Sequence, residues 1–168
     1  MQRRTLLQLG AVAATSLALA GYGLSRIQPG LPQGRLGDAG RQLFTAVARA
    51  VLDGILPAGD AGRAALGAHL QRVDATIQGF SPATSKELSQ LLSILLTAPG
   101  RRALAGLATP WDEASVDEVR AALQGMRLSR LQPRQQVYHA LRDITNGAWF
   151  ADPSTWPALG YPGPREIA

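Results

Sequence analysis

Cysteine is absent from this chain of 168 residues, and lysine nearly so: Lys86 stands alone beside sixteen arginines. Without cysteine there is no zinc ribbon, iron–sulfur cluster, disulfide scaffold or covalently attached haem. Histidine occurs only at His69 and His139, and neither has the partner spacing of a metal site. Each is expected to be a satisfied core residue or a surface residue. No glycine-rich phosphate loop with a following Lys-Ser/Thr pair is present, no dinucleotide-binding context surrounds Gly59 and Gly62, and no Gly-x-Ser-x-Gly elbow occurs. The acidic cluster Asp112, Glu113, Asp117 and Glu118 surrounds an expected helix start, where the helix dipole accounts for it. The chain is therefore expected to carry no catalytic, metal-binding or cofactor-binding residue and not to be an enzyme. Charged residues make up only 17 %, against 46 % hydrophobic, which excludes a solvated disordered tail protein. Aromatics are 5 % and no stretch alternates with period two. An Ala/Leu-rich chain of this kind favours helices, and its length predicts one domain.

What is present begins with a leader over 1–24. Arg3 and Arg4 are followed by Thr5-Leu6-Leu7-Gln8, and no charge occurs from Thr5 to Ser25. Gly10, Thr15, Ser16, Gly21 and Gly23 keep the apolar run mild. Two fixed positive charges stay on the cytoplasmic side while a weakly apolar helix enters the membrane. Arg3, Arg4, Leu6 and Leu7 resemble the twin-arginine export signal, whose pathway carries folded proteins. Ala18 and Ala20 supply a small-x-small cleavage site. An ordinary secretory signal and a retained anchor are the alternatives, since roughly 17–25 apolar residues span a bilayer. Cleavage after Ala20 would remove two arginines and lower the net charge of +5 by two. That removes most of the basicity that would have suggested nucleic acid, and no nucleic acid is expected as a partner.

Residues 25–37 read as a linker, because Pro29, Gly30, Pro32, Gly34 and Gly37 oppose regular structure, with Leu31 and Leu36 as minor docking points. A helical bundle of five or six helices is predicted over 38–150. The first helix covers 38–56, with Leu43, Phe44, Val47, Val51, Ile55 and Leu56 inward. The second covers 61–79 on the seam Leu66, Leu70, Val73, Ile77. Ser81-Pro82 opens the third, with Thr84 and Glu87 as a capping box one register later. Leu88, Leu91, Leu92, Ile94, Leu95 and Leu96 nearly encircle that helix, which marks it as the central, most buried element. A short helix follows over 100–107. Ser115 and Glu118 form a capping box opening a helix to Arg127, and Pro133 starts the last, with Val137, Leu141, Ile144 and Ala148 inward.

The tail, 151–168, cannot be helical throughout, because Pro153, Pro157, Pro162 and Pro164 remove four amide donors. An extended arm is expected. Trp149, Phe150, Trp156 and Tyr161 are four of the nine aromatics, and a segment carrying them gains little from water. It either folds back on its own bundle or anchors a partner. Arg101-Arg102 and the run Arg127, Arg130, Arg134 lack interleaved aromatics, so they read as solvated faces or as contacts to an acidic patch on a protein partner.

The paired-arginine leader, the small helical body and the terminal run Trp156-Pro157-Ala158-Leu159-Gly160-Tyr161-Pro162-Gly163-Pro164 together resemble gluconate 2-dehydrogenase subunit 3. Looser support comes from Ile55-Leu56-Pro57 at a helix end and from the segment Tyr138 to Phe150 leading into Asp152-Pro153-Ser154-Thr155-Trp156. The resemblance implies a small, cofactor-free subunit of a periplasmic flavin-dependent dehydrogenase. Its partners would be a large glucose–methanol–choline type subunit that binds flavin adenine dinucleotide, commonly a cytochrome c subunit, and the twin-arginine translocase. It also implies an escort role, in which this chain supplies the export signal for the assembled pair. Trp149, Phe150, Trp156, Leu159, Gly160, Tyr161, Pro162, Gly163 and Pro164 are then the expected partner-binding residues. The competing expectation is a stand-alone exported helical domain that binds a small apolar ligand or a lipid.

Overall fold

A computed structural model describes residues 29–163. The leader residues Arg3, Arg4, Leu6, Leu7, Ala18 and Ala20, and Pro164 of the tail, lie outside the described residues. Within them the chain is all-α: α1 (Asp38–Val51), α2 (Gly59–Gln78), α3 (Pro82–Leu95), the single turn α4 (Ala98–Gly100), α5 (Val116–Arg127) and α6 (Gln132–Phe150). Among the described residues there is no strand, and no helix is long and apolar enough to cross a membrane.

Local chemistry sets most of the helix ends. Ser115 accepts a hydrogen bond from the Glu118 amide at 3.2 Å, and the Glu118 carboxylate accepts from the Ser115 amide at 2.8 Å. This is the expected reciprocal cap. Thr109 and Ser115 hydroxyls also donate to Glu118, and these bonds, Thr109 first, hold its carboxyl below the usual range. At α3 the cap is Ser81 itself, bonded to the Thr84 amide, so a one-way cap a register earlier takes the place of the box expected between Thr84 and Glu87. The first helix is shorter than expected. It stops at Val51, and the chain turns at Gly54, whose φ of +81° is left-handed.

The core corrects the expectation for α3. Its buried side chains are only Leu88, Leu92 and Leu95, while Leu91, Ile94 and Leu96 are half-buried. The central element is α1, which buries seven of its fourteen residues, including Leu43, Phe44 and Val47. It packs on α2, α5 and α6, and α2 and α5 in turn pack on α6. Helix α3 lies against the segment that follows it. There the predicted short helix over 100–107 is a π-helical turn, Arg101–Ala105, ended by Gly106 at φ +73°. The wider turn brings Ala105 and Leu107 into the core. Trp111 closes this side, buried, with its indole N–H donating to the Leu95 carbonyl at 3.0 Å.

The segment before α1 is not a free linker from residue 29 onward. Pro32–Gly34 forms a 3-10 turn, and Leu31 and Leu36 are core members. The Leu31 amide donates to Ser89 Oγ at 3.1 Å, and the Leu36 amide to Asp74 Oδ1 at 2.9 Å. Asp74 also pairs with Arg41, so one carboxylate joins this segment, α1 and α2.

Candidate functional site: the aromatic C-terminal end

The end of α6 distributes the tail aromatics between fold and surface. Trp149 is 4 % exposed and forms a second small core with Ala48 and Leu52, bordered by half-buried Phe150, Ile55 and Leu66. His69 meets the Trp149 ring edge-on at 5.8 Å, and the Arg72 guanidinium lies 5.9 Å from its centroid. Trp149 is therefore committed to the bundle and presents no surface to a partner. The sequence alone placed it with the anchors because it adjoins Phe150 and the tail. Its register on α6, one turn after Thr145 and beside Ala148, is the signal that assigns it inward.

His69 is fully buried, and neither ring nitrogen has a protein hydrogen-bond partner. The expected satisfied core histidine is thus a buried but unsatisfied one. Burial, and secondarily the Arg72 charge, push its pKa from 6.5 down to about 4, so the ring is neutral. His139, by contrast, is exposed and packs edge-on against Tyr138 at 5.2 Å. Among the described residues no group of His, Asp and Glu is arranged to hold a metal ion.

Beyond Phe150 the tail departs from an extended arm. Pro153–Leu159 winds as a 3-10 helix, with Pro153 at its first turn and Pro157 inside. Pro153 costs nothing there, since first-turn amides have no intrahelical acceptor. Asp152 caps the turn, accepting from the Ser154 amide at 2.9 Å, and its other oxygen takes a 3.0 Å bond from Arg72. Hydrogen bonds from Ser154, with a smaller contribution from Arg72, hold the Asp152 carboxyl below its ordinary range. Arg72 also donates to the Ala148 carbonyl at 2.9 Å, which locks the turn to α2 and α6. The Thr155 hydroxyl is buried between the Trp149 and Asp152 carbonyls.

The remaining aromatics form a surface corner. The Trp156 indole N–H donates to the Phe150 carbonyl at 2.8 Å, which fixes the ring, half-buried, against the end of α6. Gly160 at φ +68° reverses the chain, and Tyr161 returns over Trp156 with ring centroids 5.3 Å apart. Gly163, at φ +95°, lies against the indole, where a Cβ would come to 3.3 Å of the ring. The result is a clasp, Tyr161–Trp156–Gly163, with Tyr161 48 % exposed and Pro162 exposed beside it. Of the expected anchors, the structure brings Trp156, Gly160, Tyr161, Pro162 and Gly163 together, and Leu159 supplies backbone to the same turn.

A second surface feature had no sequence signal. An open groove of about 700 Å³ runs between α3 and α6, floored by Phe80, Leu88, Leu91, Ile94 and Val137 and edged by Glu87 and Asp143. It exists because α3 buries one face only, so Leu91 and Ile94, expected in the core, line the groove instead. Compared with known protein families, with curated proteins and with solved structures, the chain matches none of the three.

Proposed function

We propose that this chain is a non-catalytic small subunit that binds a large flavin-dependent dehydrogenase of the glucose–methanol–choline type and lends it a twin-arginine export signal. The observation that carries this reading is the Tyr161–Trp156–Gly163 clasp. It falls in the terminal run that resembles gluconate 2-dehydrogenase subunit 3, and it holds Tyr161 48 % exposed on a braced support. Pre-ordered aromatics lose little entropy on docking, which is why Trp and Tyr dominate interface hot spots. In this reading flavin adenine dinucleotide sits in the large subunit, a cytochrome c subunit takes its electrons, and the complex works in the periplasm. The leader then belongs to the folded pair.

The test is affinity for the large flavoprotein subunit. Tyr161 is exposed, so Tyr161→Ala leaves the fold intact, and loss of an anchor worth about 2 kcal/mol weakens the complex roughly 30-fold. In cells producing both chains, Arg3→Lys with Arg4→Lys leaves both in the cytoplasm. Undiminished affinity with normal export of the large subunit would end this reading. The groove between α3 and α6 favours a second one, a stand-alone domain that takes a small apolar ligand or a lipid. Saturable binding of a fatty acid by the isolated chain, abolished by Leu91→Arg, with no affinity for a flavoprotein, would select it.

A further inference from the structure

Among the described residues the two most exposed large hydrophobic side chains lie at the corner joining α5 to α6, at the opposite end of α6 from the clasp and just before Pro133, which borders the groove: Leu128 at 68 % and Leu131 at 61 %. The corner is not frayed. The Ser129 amide donates to the Met126 carbonyl at 3.2 Å, the Leu131 amide to Ser129 Oγ at 3.1 Å, and the Gln135 side-chain amide to the Ser129 carbonyl at 2.8 Å. Its hydrogen bonds are satisfied in a form that holds two leucines in water.

Charge around the corner has one sign. From Val119 to Arg142 the sequence carries Arg120, Arg127, Arg130, Arg134 and Arg142 and no carboxylate at all. Arg120 and Arg142 are used in ion pairs with Asp117, Asp53 and Asp143, and Arg134 donates to the Leu104 carbonyl at 2.8 Å. Arg127 and Arg130 are exposed and have no ion-pair partner among the described residues. Helix α6 also starts here with Leu131 as its cap residue, no side-chain cap and no acid in the first turn. The positive end of its dipole therefore adds to the two arginines.

From this juxtaposition we infer that the α5–α6 corner docks on an anionic lipid bilayer surface, with Leu128 and Leu131 entering the headgroup–acyl boundary and Arg127 and Arg130 facing lipid phosphates. Two exposed leucines with flanking cations match that interface, where apolar and anionic groups lie within one layer. A nineteen-residue α6 sets the corner roughly 28 Å from the Tyr161 clasp. The domain can thus lie on a bilayer with its aromatic end free for a protein. The contact is separate from the proposed flavoprotein interface.

The absence of cysteine makes the test clean. The full chain is prepared as Leu128→Cys, and separately as Ser154→Cys, each carrying an environment-sensitive fluorophore. Both are titrated with vesicles of phosphatidylcholine, with and without phosphatidylglycerol. The label at 128 shifts to the blue and is quenched by nitroxide-bearing lipids on the anionic vesicles, and the label at 154 does not respond. Arg127→Gln with Arg130→Gln raises the anionic lipid concentration needed about 25-fold, at about fivefold per arginine. Leu131→Ser raises it about tenfold. Both variants alter exposed side chains and keep the thermal midpoint of the parent. The inference is overturned if the label at 128 stays water-like while the chain binds vesicles through its leader. An equal response to pure phosphatidylcholine also overturns it. So does burial of that label by the large flavoprotein subunit alone, which would make the corner a protein contact.

Discussion

His69 makes this domain sensitive to mild acid in a way that can be worked out from its surroundings. In the folded state the ring is fully buried between α2 and Trp149, with Arg72 one turn away, and its pKa is about 4. In the unfolded chain it titrates near 6.5. Between these values the unfolded chain binds a proton that the folded protein refuses. The contribution is therefore fully present above pH 6.5 and declines as the pH falls, until the folded ring itself protonates near pH 4. The full gap corresponds to about 3 kcal/mol, and about 2 kcal/mol of it is lost by pH 5. For a domain of this size that lowers the thermal midpoint by roughly 6–10 °C. The assay is urea denaturation at pH 7.5 and pH 5.0, followed by tryptophan fluorescence, for the wild type and for His69→Leu. Glu118 and Asp152 have carboxyls held below their usual range, so their contributions are lost at lower pH. They are common to both proteins, and the difference isolates His69. Equal losses between pH 7.5 and 5.0 in the two proteins would refute the reasoning. So would a His69 ring that titrates near 6.5 by NMR in the folded wild type.

Two further outcomes concern the segment before α1. Asp74→Ala removes the acceptor of the Leu36 amide and the partner of Arg41 together. The cost is about 2 kcal/mol, below that of a fully buried pair because Arg41 keeps partial access to water, and urea denaturation measures it. Gly30→Ala places a Cβ 2.4 Å from the Ser89 carbonyl oxygen and 2.6 Å from Leu92 Cβ. The segment must move off α3, at about 1–3 kcal/mol, and proteolysis over 29–37 accelerates while α1 to α6 keep their helical signal.

The parts of this fold that sequence determined are those whose physics is local. Ser115 and Glu118 cap α5 with each other, so four consecutive residues suffice to place that helix start. Val137, Leu141, Ile144 and Ala148 share one face of α6 by helical geometry alone, and all four are buried. The tail prolines, spaced over 153–164, exclude a continuous α-helix through the tail. The same local reading could not distinguish which leucines of α3 meet a neighbour. Apolar residues on every side satisfy any orientation, and only packing against the segment before α1 and the π-helical turn selected Leu88, Leu92 and Leu95. Trp111 closes the same side by reaching back to the Leu95 carbonyl, sixteen residues away in sequence.

The candidate site divides along the same line. Composition marked Trp149, Phe150, Trp156 and Tyr161 as a group that water would not hold. Tertiary structure separated them, burying Trp149 on Ala48 and Leu52 and leaving Tyr161 at the surface. The environments of His69, Leu128 and Leu131 were decided only in three dimensions. Periodicity groups residues onto one face, but how deeply each is buried depends on what other helices bring to it.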